Sequence, residues 1–186
     1  WAPVNKFGQV IVEEVKKLIR PTTKLMSFMW VNNEIASLNP MKELVALAKE
    51  NKIYIHSDAT QAIGKLPVNL KETPIDLLSF SGHKIYGPKG IGGLYIRSKN
   101  PKVQLAPLFF GGGQERGLRS GTLNVPGIVG LGEACALAQS RLSTEVPRLT
   151  KLRNLLEQLL QEAFPGIQIN GHPTERSPNT LSVCFK

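Results

Sequence analysis

Apolar residues in the first hundred positions follow two different spacings. In two stretches they recur every three or four residues, as on one face of a helix, and these stretches are residues 10–20 and 41–51. Shorter apolar runs have the length of buried strands, and they lie at residues 24–31, at 53–55 running into HSDAT, at 74–81 and at 92–97. Strands that alternate with helices over short connections predict an α/β fold with a mainly parallel sheet.

The second part of the chain has a different pattern. Residues 111–121 read GGGQERGLRSG, which predicts a glycine-rich, basic loop. A helical spacing extends over residues 125–163, where Pro147 is expected to kink or divide the helix. Apolar runs at 167–169 and 180–185 predict two further short strands.

A shift in composition near residue 140 predicts a domain boundary. We therefore expect a large domain over residues 1–140 and the beginning of a smaller α+β domain over residues 141–186.

Charge and cysteine content narrow the classes of function. The chain has 23 lysines and arginines against 14 aspartates and glutamates, a net charge of +9. The basic residues are dispersed and aromatic residues make up only 6%, which argues against nucleic acid as the main partner. No apolar run approaches the roughly 20 residues of a membrane helix, so no membrane partner is expected. The two cysteines are too few for a disulfide framework and fit a reducing compartment.

Polar residues follow three of the predicted strands, at residues 32–34, at Asp58 and at residues 81–84. Because the carboxyl ends of parallel strands meet at one edge of a sheet, where ligands bind, we expect these groups to converge. Lys84 follows an apolar run, which predicts partial burial, and a lysine that reacts as a neutral amine needs such a setting. A lysine, an acid and several phosphate donors at one edge indicate a pyridoxal phosphate site.

A metal site is not expected. The chain has three histidines, His56, His83 and His172, and none has the paired spacing of metal ligands.

Four motifs carry a resemblance to a known family. VNNEI, HSDATQAIGKLPV, SFSGHKIYGPKGIG and GGGQERGLRSGTLN occur in this order along the chain. With these motifs the sequence resembles the cysteine desulfurases, which are class V aminotransferase-like proteins with the type I pyridoxal phosphate-dependent fold. The resemblance implies an α/β large domain that binds pyridoxal 5'-phosphate, a smaller second domain and a homodimer.

The resemblance also implies a role for each matching residue. Lys84 resembles the lysine that forms the Schiff base with the cofactor and moves protons, and Asp58 resembles the acid that pairs with the ring nitrogen. The other implied contacts are Gln61 to the phenolic oxygen, Asn33 to that oxygen and the substrate carboxylate, Ser81 and His83 to the phosphate, and Thr122 to the phosphate of the neighbouring subunit. For Asn33 and Gln61, the alternative role of a simple turn residue stays open. For Thr122, the alternative is a loop hydroxyl that acts within its own subunit.

The implied reaction removes sulfur from L-cysteine. A cysteine on a mobile loop takes the sulfur as a persulfide, L-alanine is released, and the sulfur passes to an acceptor or scaffold protein, for example in iron–sulfur cluster assembly or tRNA thiolation. The implied location is cytoplasmic, or the mitochondrial matrix or plastid stroma in a eukaryote. A selenocysteine lyase of the same group is the alternative enzyme.

The sequence also departs from the family pattern. The nucleophilic cysteine, the N-terminal phosphate loop with its ring-stacking histidine, and the arginine for the substrate carboxylate lie in parts of the family that this sequence does not match. Cys135 and Cys184 are expected to be packing side chains rather than the nucleophile. Ala36 stands where the family usually has glycine. We therefore expect an internal segment that is inactive alone; a non-catalytic dimerisation or interaction module is the other interpretation.

Overall fold

In the computed structural model, which describes residues 1–185, four strands form one sheet in the order β1-β2-β3-β4. The strands are β1 Leu25–Met29, β2 Tyr54–Asp58, β3 Leu77–Ser81 and β4 Gly92–Ile96. The helices are α1 Val12–Leu18, α2 Met41–Glu50 and α3 Val125–Ala163, with short 3₁₀ turns at Gly82–Ile85 and Glu115–Gly117. After α3, the strands β5 Gln168–Ile169 and β6 Val183–Cys184 form an antiparallel pair. None of the helices within residues 1–185 combines the length and hydrophobicity needed to cross a lipid bilayer.

The predicted mainly parallel sheet is confirmed, with one antiparallel edge. β1 pairs with β2, and β2 with β3, in parallel, whereas β4 runs antiparallel to β3. The connection between β3 and β4, residues 82–91, is shorter than the crossover of about a dozen or more residues that a parallel neighbour needs. The chain therefore returns beside β3 in the opposite direction.

One face of the sheet, here called the core face, packs against α1 and α2. Ile55 and Leu78 on this face belong to the same buried cluster as Val15 of α1 and Leu44 of α2. Burying one such aliphatic side chain contributes about 1.5–3 kcal/mol. The opposite face, here called the open face, carries the alternate residues of each strand, which are Leu25, Ser27, Met29, Tyr54, His56, Asp58, Leu77, Ser79 and Ser81. Because successive strand residues point to opposite faces, the polar side chains of β2 are kept out of the core.

Ser57 is an exception, because its hydroxyl lies in the core. The residue is fully buried, and its Oγ has no hydrogen-bond partner within the described residues. A buried hydroxyl without a partner is unfavourable by about 1–3 kcal/mol. We expect Ser57→Ala to raise the free energy of unfolding by about 1 kcal/mol, measured by urea denaturation.

Ser37 provides the matched control for this prediction. It is also buried, but its Oγ donates to the carbonyl of Phe7 at 2.6 Å and accepts from the backbone N–H of His172 at 2.8 Å. Ser37→Ala should therefore lower the free energy of unfolding. Equal losses for both variants would contradict the proposed difference between the two hydroxyls.

α3 is a continuous helix of 39 residues. The division at Pro147 that the sequence suggested does not occur. Asn124 caps the N-terminus of α3, because the Oδ1 of Asn124 accepts from the N–H of Gly127 at 3.1 Å, and the helix passes through residue 140. The division into residues 1–140 and 141–186 stays a prediction.

The expectation that Cys184 packs inside the protein is wrong. Cys184 is exposed and Cys135 is half-buried. β6 pairs with β5 in a two-stranded sheet, and the Sγ of Cys184 accepts from Asn170 Nδ2 at 3.4 Å.

Candidate functional site

The carboxyl ends of the parallel strands place several candidate residues at one edge of the sheet. Asp58 is the last residue of β2 and Ser81 is the last residue of β3. In the strand register Met29 lies beside Asp58, and Asp58 lies beside Ser79. The turn that carries Asn33 follows the end of β1. The polar groups therefore follow neighbouring strands at a common edge, where α/β sheets bind ligands.

Asp58 presents one free carboxylate oxygen. Its Oδ1 accepts from the backbone N–H of Thr60 at 2.9 Å, which fixes the side chain at the strand end. Within residues 1–185 no donor contacts its Oδ2, and the residue is exposed. The side chain is thus oriented by the backbone while keeping an acceptor for a cationic partner.

Gln61 lies one turn after Asp58, and its side chain is hydrogen-bonded to another residue of the chain. Its Oε1 accepts from Lys65 Nζ at 2.5 Å. Burial lowers the pKa of Lys65, and the positive charge of Lys84 lowers the pKa of Lys65 further. Sequence reasoning missed Lys65, although its spacing of four residues from Gln61 in the motif HSDATQAIGKLPV was the available signal.

The 3₁₀ turn after β3 carries His83 and Lys84. Gly82 and Ile85 are buried and hold the turn, and the N–H of Gly82 donates to the carbonyl of Ile91 at 2.9 Å. Ser81 Oγ lies 2.7 Å from His83 Nδ1, so the hydroxyl and the imidazole form one hydrogen-bonded pair. This pair offers donors suited to a phosphate group.

The predicted partial burial of Lys84 is wrong, because the residue is exposed. The apolar neighbours that motivated the prediction turn inward, and the 3₁₀ turn directs the lysine outward between buried Gly82 and Ile85. Lys84 lines a cavity of about 410 Å³ together with Lys65 and with Arg141 and Arg148 of α3. Asp58 is not among the residues that line this cavity.

Asn33 is exposed on a turn that Asn32 organises. Asn32 Oδ1 accepts from the N–H groups of Glu34 at 2.8 Å and Ile35 at 3.0 Å, whereas Asn33 Nδ2 donates to Glu34 Oε1 at 2.8 Å. Ala36 ends this turn with φ +65° and is fully buried. That left-handed conformation is the one that favours the glycine the family usually has there, and it is unfavourable by about 1–2 kcal/mol for an L-residue.

Thr122 belongs to the loop that leads into α3. It is exposed in the loop before α3, and no hydrogen bond within residues 1–185 joins it to the other candidate residues. A side chain links the two ends of the loop that precedes Thr122, because Gln114 Oε1 accepts from the N–H of Gly121 at 2.9 Å.

A hydrogen-bonded histidine on the open face is a feature that the sequence search for metal ligands did not anticipate. His56 Nδ1 lies 2.8 Å from Ser27 Oγ on β1, and His56 Nε2 lies 3.1 Å from Ser79 Oγ on β3. Burial lowers the pKa of His56, and the charge of Asp58 offsets part of that effect. The spacing of two in HSD was the available signal, because it places His56 and Asp58 on the same face of β2.

The sheet has an acid at its carboxyl edge and a lysine on the turn that follows β3, and comparison with known protein families assigns the chain to a class. The aminotransferase class-V family matches residues 1–186. The chain belongs to the class V aminotransferase family, whose members depend on pyridoxal phosphate.

Among similar sequences are several cysteine desulfurases. The chain is 49% identical to cysteine desulfurase IscS of Methanosarcina thermophila and covers 45% of that protein. It is 47% identical to the mitochondrial cysteine desulfurase of Arthroderma benhamiae, covering 36%, and 43% identical to the Homo sapiens cysteine desulfurase, covering 40%. All of this chain is matched in each case.

Solved structures give the same result for the fold. A NifS-like protein superposes on all of this chain with a TM-score of 0.93 at 44% identity, and DndA from Streptomyces lividans superposes on 95% of it with a TM-score of 0.86 at 40% identity. SspA in complex with cysteine matches with a TM-score of 0.80 at 36% identity. The chain spans about half of each of these structures.

Proposed function

We propose that this chain forms much of the cofactor-binding part of a pyridoxal phosphate-dependent cysteine desulfurase. The observation that carries the proposal is the arrangement of Asp58, Ser81 and His83 at the carboxyl edge of a parallel sheet, with Lys84 on the following turn. Sequence identities of 43–49% with cysteine desulfurases over the full chain support it.

The residues at the edge fit the chemical groups of the cofactor. The free Oδ2 of Asp58 suits a protonated ring nitrogen, the Ser81–His83 pair suits a phosphate, and the exposed amine of Lys84 is accessible to an aldehyde. When bound, pyridoxal phosphate withdraws electrons from the bonds at the Cα of an amino acid. The Asp58 carboxylate would keep the ring nitrogen protonated, which this chemistry requires.

The remaining candidates take secondary positions in the proposal. Gln61 would contact the phenolic oxygen, Asn33 would contact that oxygen and the substrate carboxylate, and Thr122 would reach the phosphate of a neighbouring subunit. Gln61 must then release or share its bond with Lys65, which now occupies its Oε1. Lys84 Nζ would return a proton to the substrate when it is not bonded to the cofactor.

The proposed cofactor site is tested by trapping. The chain is incubated with pyridoxal phosphate, reduced with borohydride, digested and examined by mass spectrometry. We expect one phosphopyridoxyl group per chain, on Lys84. The exposed Lys89 of the same loop serves as the internal control. A label distributed over exposed lysines, or placed on another lysine, would contradict the proposal.

The proposed substrate is L-cysteine, with sulfur passed to an acceptor or scaffold protein. The test uses the full-length protein, and it compares alanine release from L-cysteine and from L-selenocysteine at equal concentrations. Alanine from L-cysteine supports the desulfurase. Alanine from L-selenocysteine alone identifies the lyase instead.

We also propose a homodimer that forms through an apolar surface around the loop before α3. This surface, the loop patch, comprises Leu105, Leu108, Phe109, Phe110, Leu123 and Ile128, all exposed. Leu108 and Phe110 are 85% and 84% exposed, and Thr122 is next to Leu123 in the chain. Contiguous apolar surface of this kind marks an interaction site, and the candidate phosphate contact across a dimer lies beside it.

Charges in the loop patch should separate the subunits. The double variant Phe109→Asp/Phe110→Asp is expected to weaken dimerisation by about a hundredfold or more, because two large apolar side chains lose their burial. Sedimentation velocity measures the change. Leu18→Asp, on the exposed side of α1, is the control and should leave the dimer intact. A double variant that dimerises like the parent would exclude the loop patch as the interface.

A further inference from the structure

The turn that carries Asn33 is closed by its own backbone. The N–H of Asn32 donates to the carbonyl of Ser37 at 2.9 Å, and the N–H of Ala36 donates to the carbonyl of Asn32 at 3.1 Å. Ala36 is fully buried in this turn with φ +65°, a backbone conformation that is unfavourable for an L-residue with a side chain. A residue in such a conformation persists only where the surrounding structure holds it.

The structure that holds the turn comes from a distant part of the sequence, residues 171–177, here called the clamp segment. The N–H of Ser177 donates to the carbonyl of Ala36 at 2.9 Å. The N–H of Leu38 donates to the carbonyl of Glu175 at 2.9 Å. An isolated antiparallel β-bridge therefore joins the turn to the clamp segment.

Two further contacts bring the clamp segment against the turn. The N–H of His172 donates to Ser37 Oγ at 2.8 Å. Gly171 lies so close to the turn that a Cβ at this position would overlap the carbonyl oxygen of Ile35, and its φ of +85° also favours glycine. The clamp segment thus contacts each of the residues 35–38.

α3 holds the clamp segment through two arginines. The side chain of Arg176 is 5% exposed and forms an ion pair with Glu157 of α3. Arg153 of α3 donates to the carbonyl of Ser177 at 2.8 Å. A buried guanidinium that loses its carboxylate is strongly unfavourable, so the ion pair keeps the clamp segment on α3. The position of the clamp segment is therefore set by the helix and not by the turn alone.

We infer that Arg176 is a positioning residue for Asn33, because it fixes the clamp segment to α3 and the clamp segment holds the turn in the conformation that places Asn33 after β1. The inference rests on the proposed function, in which Asn33 contacts the carboxylate of the substrate. In this role Arg176 acts through the backbone of residues 35–38 and not by contact with substrate or cofactor.

The first test measures the turn itself in the chain without cofactor. A residue with positive φ gives a strong NOE between its own N–H and Hα, because the two protons lie close together. Arg176→Gln removes the cation that pairs with Glu157, and we expect the NOE of Ala36 to weaken as the residue leaves the left-handed conformation. Lys52, with φ +55° and outside the clamp segment and the turn, is the internal reference and should keep its NOE.

Three further variants make this test specific. Arg176→Lys keeps a cation for Glu157 and should restore most of the NOE of Ala36. Lys17→Gln breaks an exposed ion pair of α1 and should leave the NOE unchanged. Arg153→Gln removes the second contact of α3 with the clamp segment while the buried ion pair remains, and it should also weaken the NOE. This last variant provides the test if Arg176→Gln does not fold.

The second test is a double-mutant cycle in the full-length protein with pyridoxal phosphate and L-cysteine. Arg176→Gln alone should raise the KM for L-cysteine by roughly tenfold, because a misplaced binding group loses most of its contact, and kcat should change less. In an Asn33→Ala background the same substitution should have no further effect on KM, because the group that Arg176 positions is gone. Substitutions that act independently have additive effects.

The outcomes separate the inference from the proposed function. If the effects of Arg176→Gln and Asn33→Ala on KM are additive, Arg176 has only a structural role and the inference is overturned. An NOE of Ala36 that is as strong in Arg176→Gln as in the parent also overturns it. If the full-length parent releases no alanine from L-cysteine, the proposed function fails, and the NOE still decides whether Arg176 holds the turn.

Discussion

Lys84→Arg is expected to abolish covalent attachment of the cofactor while the protein stays folded. Arginine keeps its charge at any accessible pH and cannot form a Schiff base under these conditions. The side chain at position 84 is exposed, so the substitution should change the free energy of unfolding by no more than about 0.5 kcal/mol. Borohydride trapping and mass spectrometry measure the attachment, and thermal unfolding checks the fold.

One control variant and one competing lysine make this result specific. Lys89→Arg changes an exposed lysine of the same loop and should keep full labelling. Lys65 lines the same cavity as Lys84, and its pKa is lowered by burial, so it is the strongest competing site. If the Lys84→Arg variant is still fully labelled and the label is on Lys65, the reactive amine is that of Lys65 and not that of Lys84.

Arg97→Met is expected to have the largest effect on stability. Arg97 Nε lies 3.3 Å from Asp76 Oδ1, and both side chains are nearly buried, at 11% and 9% exposed. Arg97 also donates to the backbone carbonyl of Ile75 at 2.9 Å and to that of Pro74. Removing the cation leaves a buried carboxylate without its partner, which lowers the free energy of unfolding by about 3–5 kcal/mol.

A double-mutant cycle tests the cause of that loss. Asp76 Oδ2 still accepts from the N–H of Ile55 at 2.9 Å, so the acid cannot simply turn to solvent. Asp76→Asn in the Arg97→Met background should recover part of the loss, because the unpaired charge is removed. Arg148→Met breaks an exposed ion pair with Glu145 and should change stability little. If Arg97→Met lowers the free energy of unfolding no more than Arg148→Met does, the buried ion pair does not stabilise the fold more than the exposed pair.

The spacing of apolar residues predicted most elements, because helices and strands are local patterns. Residues 41–51 were predicted as a helix and α2 covers Met41–Glu50. The run at 74–81 was predicted as a strand, but β3 begins only at Leu77. The three residues before it are held by Arg97, whose distant position in the chain the local pattern does not include.

The environment of the site residues was harder to predict, because it depends on pairing between distant segments. The exposure of Lys84 follows from which residues of a 3₁₀ turn face inward, and apolar neighbours in the sequence do not specify that. The contacts of His56 need the register of three strands. Pro147 is expected from the sequence to kink or divide α3, and the structure shows that it does not divide the helix. Pro147 removes one N–H donor from the helix without ending it.

The hydroxyl of Ser37 has a consequence for the order in which the chain folds. It donates to the carbonyl of Phe7 and accepts from the N–H of His172, and the contact between Ser37 and His172 links residues 135 positions apart in sequence. Contacts between such distant residues are slow to form, because a long loop must close first. During synthesis on the ribosome, the hydroxyl of Ser37 therefore stays without its bond to residue 172 until that residue has emerged.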